Sequence, residues 1–134
     1  MEAIYEAEFY HTGRGPVLKR VHWAYAGERL RAIDYRNGDS ADPHHVRFIR
    51  PQVVAITPEE VINYATVPSF PPNVGRGALI DRGRSEWLQS FAQTHLAKCR
   101  HYSLLFYDQM FDVICEGVVC EPGEFKDEDG ATTA

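Results

Sequence analysis

Three side chains that could bind a metal ion lie close together in the last third of the chain: His95, Cys99 and His101. His95 and Cys99 are four residues apart, so a helix would place both on one face, within reach of one ion. Structural zinc sites use four ligands, and catalytic sites use three plus water. A fourth ligand could come from Cys115, Cys120 or the pair His44–His45. Neither Cys-x-x-Cys nor His-Glu-x-x-His spacing occurs, so the metal site is only a hypothesis and no cofactor is predicted.

The same residues could form a cysteine–histidine nucleophilic pair. A reactive thiol needs its pKa lowered by a helix N-terminus, a cation or a base. Cys99 falls at the C-terminal end of a predicted helix, where the helix dipole disfavours a thiolate, although Lys98 and Arg100 flank it. Because no complete catalytic set is visible, the sequence favours a non-enzymatic protein.

Arginines beside glycines give a second kind of candidate site. Glycine lets backbone amides approach an anion closely, and arginine can neutralise it. Two Gly-Arg-Gly segments and one Arg-Gly-Arg segment place candidate anion ligands at Arg14, Arg76, Arg82 and Arg84. None of these segments matches a P-loop or a dinucleotide-binding fingerprint. They therefore indicate a phosphate or carboxylate site without defining a reaction.

Carboxylates near the last predicted turn could perform acid–base chemistry or hold a divalent cation. Asp108 and Asp112 bracket this turn, and Glu116 follows. Aspartate at a turn usually satisfies backbone amides. We therefore interpret these carboxylates as structural.

Alternating apolar and polar residues predict strands in the N-terminal half. The patterns cover residues 3–11 and 17–25. Residues 30–35 predict a third strand, although residues 28–35 could also form a helix, and the three strands together predict an antiparallel meander. Residues 46–56 predict a fourth strand, in which Pro51 indicates an edge, a bulge or a break.

Two helices and two further strands are predicted after this meander. Thr57 and Glu60 fit a capping box that starts a short helix at Pro58–Ala65. Apolar residues at helical spacing predict a main helix over Arg84–Lys98. These residues are Trp87, Leu88, Phe91, Ala92, His95, Leu96 and Cys99. Residues 101–108 and 110–119 then predict a hairpin that turns at Asp108–Gln109.

These elements together predict one α+β domain over residues 1–120. Its antiparallel sheet has five or six strands, made of the N-terminal meander and the C-terminal hairpin, and is packed by the main helix and the short helix. Residues 121–134 contain proline, glycine and acidic side chains and predict a disordered tail.

The charge and composition of the chain limit the classes of function that fit it. The net charge is −5, and residues 116–134 carry all of it, so the remaining chain is neutral. A neutral body disfavours nucleic-acid binding. No apolar run is long enough to span a membrane, and three cysteines without an export signal indicate a cytoplasmic protein.

Aromatic residues and arginine are enriched at protein interfaces. The sequence therefore predicts a small protein-binding or adaptor domain that acts through a protein partner or by self-association. The alternative is a small-molecule or phosphate-binding domain, similar to an enzyme, that uses the Gly-Arg-Gly loops and histidines.

Overall fold

Strands make up most of the regular structure in the computed structural model of the chain. The structure describes residues 2–4 (backbone only), 16–24, 27, 29–37, 41–61, 78–91 and 94–126. The strands are β1 (Glu2–Ile4), β2 (Pro16–Ala24), β3 (Arg29–Asn37), β4 (His44–Ile49), β5 (Val53–Pro58), β6 (Leu79–Gly83), β7 (Arg100–Leu105), β8 (Gln109–Cys115) and β9 (Gly117–Pro122). Helical residues form α1 (Glu86–Gln89) and two 3-10 helices, Glu59–Val61 and Thr94–Leu96. The predicted α+β class is wrong, because this part of the chain is mostly antiparallel strand and has no main helix.

The strands form two antiparallel sheets that share one apolar core. The five-stranded sheet has the order β1-β6-β7-β8-β5, and the four-stranded sheet has the order β2-β3-β4-β9. The ring of Tyr35 on β3 meets the ring of Phe106, just after β7, with centroids 6.4 Å apart. The largest buried cluster includes Leu30, Ile33, Tyr35, Val46 and Phe48 from the four-stranded sheet and Leu79, Tyr102, Leu104, Phe111, Val113 and Cys115 from the five-stranded sheet.

One two-stranded ribbon connects the two sheets. β4 pairs with β9 in the four-stranded sheet, and the continuations of both strands, β5 and β8, pair in the five-stranded sheet. The chain crosses between the sheets at Arg50–Gln52 and again at Glu116, whose N–H donates to the carbonyl of Ile49. Arg50 has a φ of 49° there. Of the alternatives that Pro51 raised, the structure shows a break, and the pattern over 110–119 is likewise divided at Glu116.

The predicted N-terminal meander is wrong for its first strand. β1 pairs with β6, with Ala3 opposite Ile80, and so belongs to the other sheet from β2 and β3. An alternating pattern identifies a strand and its buried face but does not identify the strand's partner. The predicted strands over 17–25 and 30–35 coincide with β2 and β3 where the structure describes them, so the helical alternative for residues 28–35 is wrong. Tyr25 and residues 5–11 lie outside the described residues.

The predicted main helix over Arg84–Lys98 is replaced by a single helical turn and a short 3-10 helix. α1 ends at Gln89, and the hydroxyl of Ser90 donates to the carbonyl of Trp87. The apolar residues still pack on the sheet: Leu88, Leu96 and Cys99 form a buried cluster with Ile114, and Val53, Trp87 and Phe91 lie beside it. The spacing thus identified five side chains that pack on the sheet, but His95 is exposed and Ala92 lies outside the described residues. Tertiary packing, rather than local propensity, decides whether such a segment forms a helix.

The short helix predicted over Pro58–Ala65 is also wrong at its start. Thr57 and Pro58 pair with Met110 and Gln109 and so complete β5. Their backbone is already part of the sheet, so the capping box cannot form at Thr57. A 3-10 helix follows at Glu59–Val61, and residues 62–65 lie outside the described residues.

Candidate functional site

Polar side chains gather on the face of the five-stranded sheet that points away from the shared core, which we call the outer face. On β7, Tyr102 and Leu104 belong to the core, so His101 and Ser103 alternate onto the outer face. On β8, Asp112 lies directly opposite Ser103 in the register of the two strands. The β7–β8 hairpin thus brings three polar residues to one place.

A continuous chain of hydrogen bonds connects these residues to the start of α1. Ser85 Oγ lies 2.8 Å from His101 Nδ1, and His101 Nε2 lies 2.7 Å from Asp112 Oδ1. Ser103 Oγ donates to the same carboxylate oxygen, and Arg82 Nε donates to Ser103 Oγ. We call these five residues the Ser85 network.

The electrostatics of Asp112 determine where the protons lie. Burial by itself would raise the pKa of Asp112, but hydrogen bonds from His101 and Ser103, with the nearby charge of Arg82, hold it below the ordinary 3.8. An ionised carboxylate only accepts hydrogen bonds, so the proton of a neutral His101 ring resides on Nε2. Nδ1 is then the acceptor, and the Ser85 hydroxyl donates to it.

Local structure fixes Ser85 above the histidine. Gly83 ends β6 with a φ of +63°, a conformation that side chains other than glycine's strain to adopt, and it turns the chain out of the sheet. Ser85 is the N-cap of α1, and its Oγ accepts from the N–H of Leu88 at 3.2 Å. The ring of Trp87 meets the His101 ring edge to face with centroids 4.9 Å apart. The histidine is therefore buried between the sheet and α1.

The three candidate metal ligands occupy different environments. His95 is exposed in the second 3-10 helix, the Cys99 thiol is buried, and His101 belongs to the Ser85 network. Across the residues that the structure describes, no group of three or more His, Cys, Asp or Glu side chains is arranged to hold a metal ion. Metal binding by these residues stays a prediction, which elemental analysis of protein purified without chelator would test.

The cysteines differ in their expected reactivity, which leads to a prediction. Burial raises the pKa of Cys99 and raises that of Cys115 to about 12, so both thiols resist ionisation. Cys120 is only partly buried. In the folded protein at pH 8, iodoacetamide should modify Cys120 first, and all three thiols should react at similar rates in urea, as peptide mass spectrometry would show. Fast alkylation of Cys99 in the folded protein would contradict this and revive a nucleophilic role.

The described arginines among the anion-binding candidates contact other groups of the protein. Arg84 Nη1 donates to the carbonyl oxygens of Leu96 and Cys99, at 2.8 and 3.1 Å, and so holds the segment before β7 in place. Arg82 belongs to the Ser85 network. Arg14 and Arg76 lie outside the described residues, so their prediction stays untested.

The start of the predicted acidic tail packs on the four-stranded sheet. The backbone N–H of Phe125 donates to Asp34 at 2.8 Å, and Asp34 also lies 2.7 Å from His22 Nε2. The Phe125 ring lies 5.1 Å from the ring of His22 and 5.6 Å from that of His45. Residues 127–134 lie outside the described residues.

An uncharged strand forms one edge of the five-stranded sheet. β5 pairs with β8 on one side, and no strand in the described part of the chain pairs with its other side. Ile56 on β5 is 48% exposed, and Val61, at the end of the following 3-10 helix, is 65% exposed. We call Val53–Pro58 with Val61 the β5 edge. Among the described strands, none pairs with the outer backbone groups of this edge, and its side chains are largely apolar.

Sequence reasoning missed Ser85 and Ser103 and interpreted Asp112 as a turn residue. The available signal was the alternation of His101 and Ser103 on a strand, with Asp112 on the following strand. A serine next to glycine before a helical pattern was the remaining signal, but it also describes an ordinary cap.

Comparison with known proteins does not add a family to this fold and site. No family model matches the chain, and no curated protein and no solved structure matches it either. Among the helices that the structure describes, none is long and apolar enough to cross a membrane. The function is therefore inferred from the geometry.

Proposed function

We propose that the protein is a small protein-binding domain whose partner is a second copy of the same chain, paired through the β5 edge. The observation that supports this is a sheet edge without any charged side chain. Natural proteins usually protect such edges with charges, prolines or covering segments, because open strands pair with other chains. Of these devices, the described part of the chain shows only Pro58, at the end of β5.

The other edge strands differ from β5 in charge. β2 exposes Lys19 and Arg20, and β9 carries Glu121. β1, on the far side of the five-stranded sheet, contains Glu2. An antiparallel pair of two identical charged strands places like charges near each other, which is destabilising. β5 is the edge strand that escapes this repulsion.

The β5 sequence also suits pairing with itself. Two antiparallel copies related by a twofold axis form an isologous interface, in which each strand meets the same residues of its partner. With the axis at Ile56, the two copies of Ile56 face each other across the interface, and Ala55 faces Thr57 of the partner. All of these side chains are uncharged, and Ala55 and Ile56 are aliphatic.

We propose that the protein acts in the cytoplasm. Its three cysteines are free thiols, and a reducing compartment keeps thiols reduced. The alternative, an anion-binding site, gains no support from the described contacts. Arg82 and Arg84 contact a serine hydroxyl and backbone carbonyls, respectively.

Replacing Ile56 with lysine tests the proposal. Wild-type protein should be a dimer, with twice the 15.2 kDa mass of the chain. Ile56→Lys should be monomeric at the same concentration, because the twofold axis places the two new charges close together and desolvates both. Size-exclusion chromatography with light scattering would measure both masses over a hundredfold range of concentration.

Ile49→Lys is the matched control, because Ile49 is also an exposed isoleucine but lies on β4, away from the open edge. It should remain dimeric. A wild-type protein that is monomeric at every concentration would overturn the proposal. An Ile56→Lys dimer as tight as that of the wild type would overturn it as well.

A further inference from the structure

The Ser85 network contains the groups of a nucleophilic hydroxyl, a base and a supporting carboxylate, in hydrogen-bonded order. We propose that Ser85 is an activated nucleophile that accepts acyl groups from small esters, with His101 as the base and Asp112 as the group that orients and stabilises the histidine. Serine–histidine–aspartate arrangements of this kind are recognised by geometry and role rather than by sequence position. Self-association through the β5 edge is not required for this activity.

The proton positions are those that the reaction needs. Asp112 is ionised and holds the proton of the ring on His101 Nε2, so Nδ1 presents a lone pair to the Ser85 hydroxyl 2.8 Å away. The hydroxyl thus donates to the atom that must take its proton. When His101 becomes positively charged, the carboxylate 2.7 Å from Nε2 stabilises that charge.

The three groups differ in their exposure to solvent, and this difference suits catalysis. The side chains of His101 and Asp112 are 8% and 16% exposed, which shields the hydrogen bond between them from water. Ser85 is only partly buried and can meet a substrate. Trp87, which contacts His101, and Phe91 form an apolar pair beside it, with ring centroids 5.8 Å apart. This apolar neighbour favours a short apolar acyl group over a charged one.

The reaction needs no reagent besides the ester and water. Ser85 Oγ bonds to the acyl carbon while His101 Nδ1 takes the hydroxyl proton, and the ester C–O bond breaks as the leaving alcohol takes that proton back. Water then gives a proton to His101 and bonds to the acyl carbon. The bond to Ser85 Oγ breaks, the proton returns to the serine, and a carboxylic acid is released.

Ser103 and Arg82 act as positioning residues in this scheme. The His101 ring and the Ser103 hydroxyl both form hydrogen bonds with Asp112 Oδ1. Arg82 Nε donates to Ser103 Oγ and so holds that hydroxyl in place. Their removal should slow the reaction while leaving Ser85 able to react.

A fluorophosphonate probe tests the proposal on the full chain. The probe phosphonylates serines whose proton is taken by a base: Ser85 Oγ bonds to phosphorus, fluoride leaves and His101 takes the proton. Intact mass and peptide mapping should show one adduct, on Ser85. His101→Gln should slow its formation about a hundredfold, within the range of a lost general base.

Two variants separate chemistry from folding. Ser85→Asn keeps a side chain that caps α1 and should remain folded without an adduct. Ser90→Ala removes a nearby exposed hydroxyl and should label like the wild type. Absence of an adduct on Ser85 after long incubation of folded wild-type protein would overturn the proposal. An adduct that forms equally fast in His101→Gln would also overturn it.

Discussion

Replacing Asp112 with alanine should lower the free energy of unfolding by about 3 kcal/mol, because two hydrogen bonds to a mostly buried carboxylate are lost. The substitution leaves the ring nitrogen of His101 and the hydroxyl of Ser103 without their acceptor on the outer face. Buried donors without partners retain their full desolvation penalty. Urea denaturation followed by circular dichroism would show a lower midpoint with an unchanged slope.

Asp108→Ala is the matched control, because this aspartate is exposed at the turn before β8. Its carbonyl, which accepts from the N–H of Glu59, survives the substitution. The control should change stability by less than about 0.5 kcal/mol. An equal loss in both variants would contradict the role assigned to the Ser85 network.

The pH dependence of stability checks the same residue independently. The pKa of Asp112 is lower in the folded protein than its ordinary 3.8, so its ionised form favours folding. This contribution is fully present above the ordinary pKa and is lost as the pH falls through the lower folded-state pKa. The stability difference between wild type and Asp112→Ala should therefore shrink in acid below about pH 4.

Replacing Phe111 with alanine should be still more damaging, with a loss of about 3–5 kcal/mol. The Phe111 side chain is 1% exposed and meets Phe106 edge to face, with centroids 5.6 Å apart, in the core between the sheets. A small domain has only about 5–15 kcal/mol of stability in total, so much of the protein should unfold. Urea denaturation and proteolysis would both report the loss.

Tyr107→Ala is the control for Phe111, since Tyr107 is an aromatic residue that is 47% exposed in the turn between β7 and β8. Its backbone N–H, which donates to Pro16, is retained. We expect a loss below about 1 kcal/mol. A variant of Phe111 that is as stable as this control would show that the shared core is packed differently.

Alternation along the chain predicted several strands but not how the strands are arranged. The patterns over 17–25 and 30–35 predicted the positions of β2 and β3, although Ala32 to Tyr35 are buried on both faces of β3. The short apolar run of β6 was not predicted. Buried on both sides at Leu79 and Ile80, it shows no alternation that would separate it from a loop or a buried turn.

The Ser85 network depends on the register between β7 and β8, and a small error in the predicted position of the turn changes that register. A turn at Asp108–Gln109 would place Ser103 opposite Ile114, whereas the observed hairpin places it opposite Asp112. A shift by two residues preserves the face of each side chain but changes its partner. The face of His101 was therefore predictable, but its contact with Asp112 was not.

The role of Ser85 in the network was not predicted, because the sequence pattern indicated a long helix over Arg84–Lys98. At the start of such a helix, Ser85 would serve only as a cap. The structure shortens that helix to Glu86–Gln89 and folds the rest over the sheet. Tertiary packing determines where this helix ends, and the local sequence pattern contains no information about that packing.

The ribbon that joins the sheets also constrains when the chain can fold during its synthesis. Its two halves, β4–β5 and β8–β9, are separated by residues 59–108, so neither sheet can be completed while the ribosome still holds the C-terminal strands. Pairing between such distant segments makes folding slow, typically milliseconds to seconds, because a long loop must close first. The newborn chain should thus acquire protease resistance only after β8 and β9 have emerged from the ribosome.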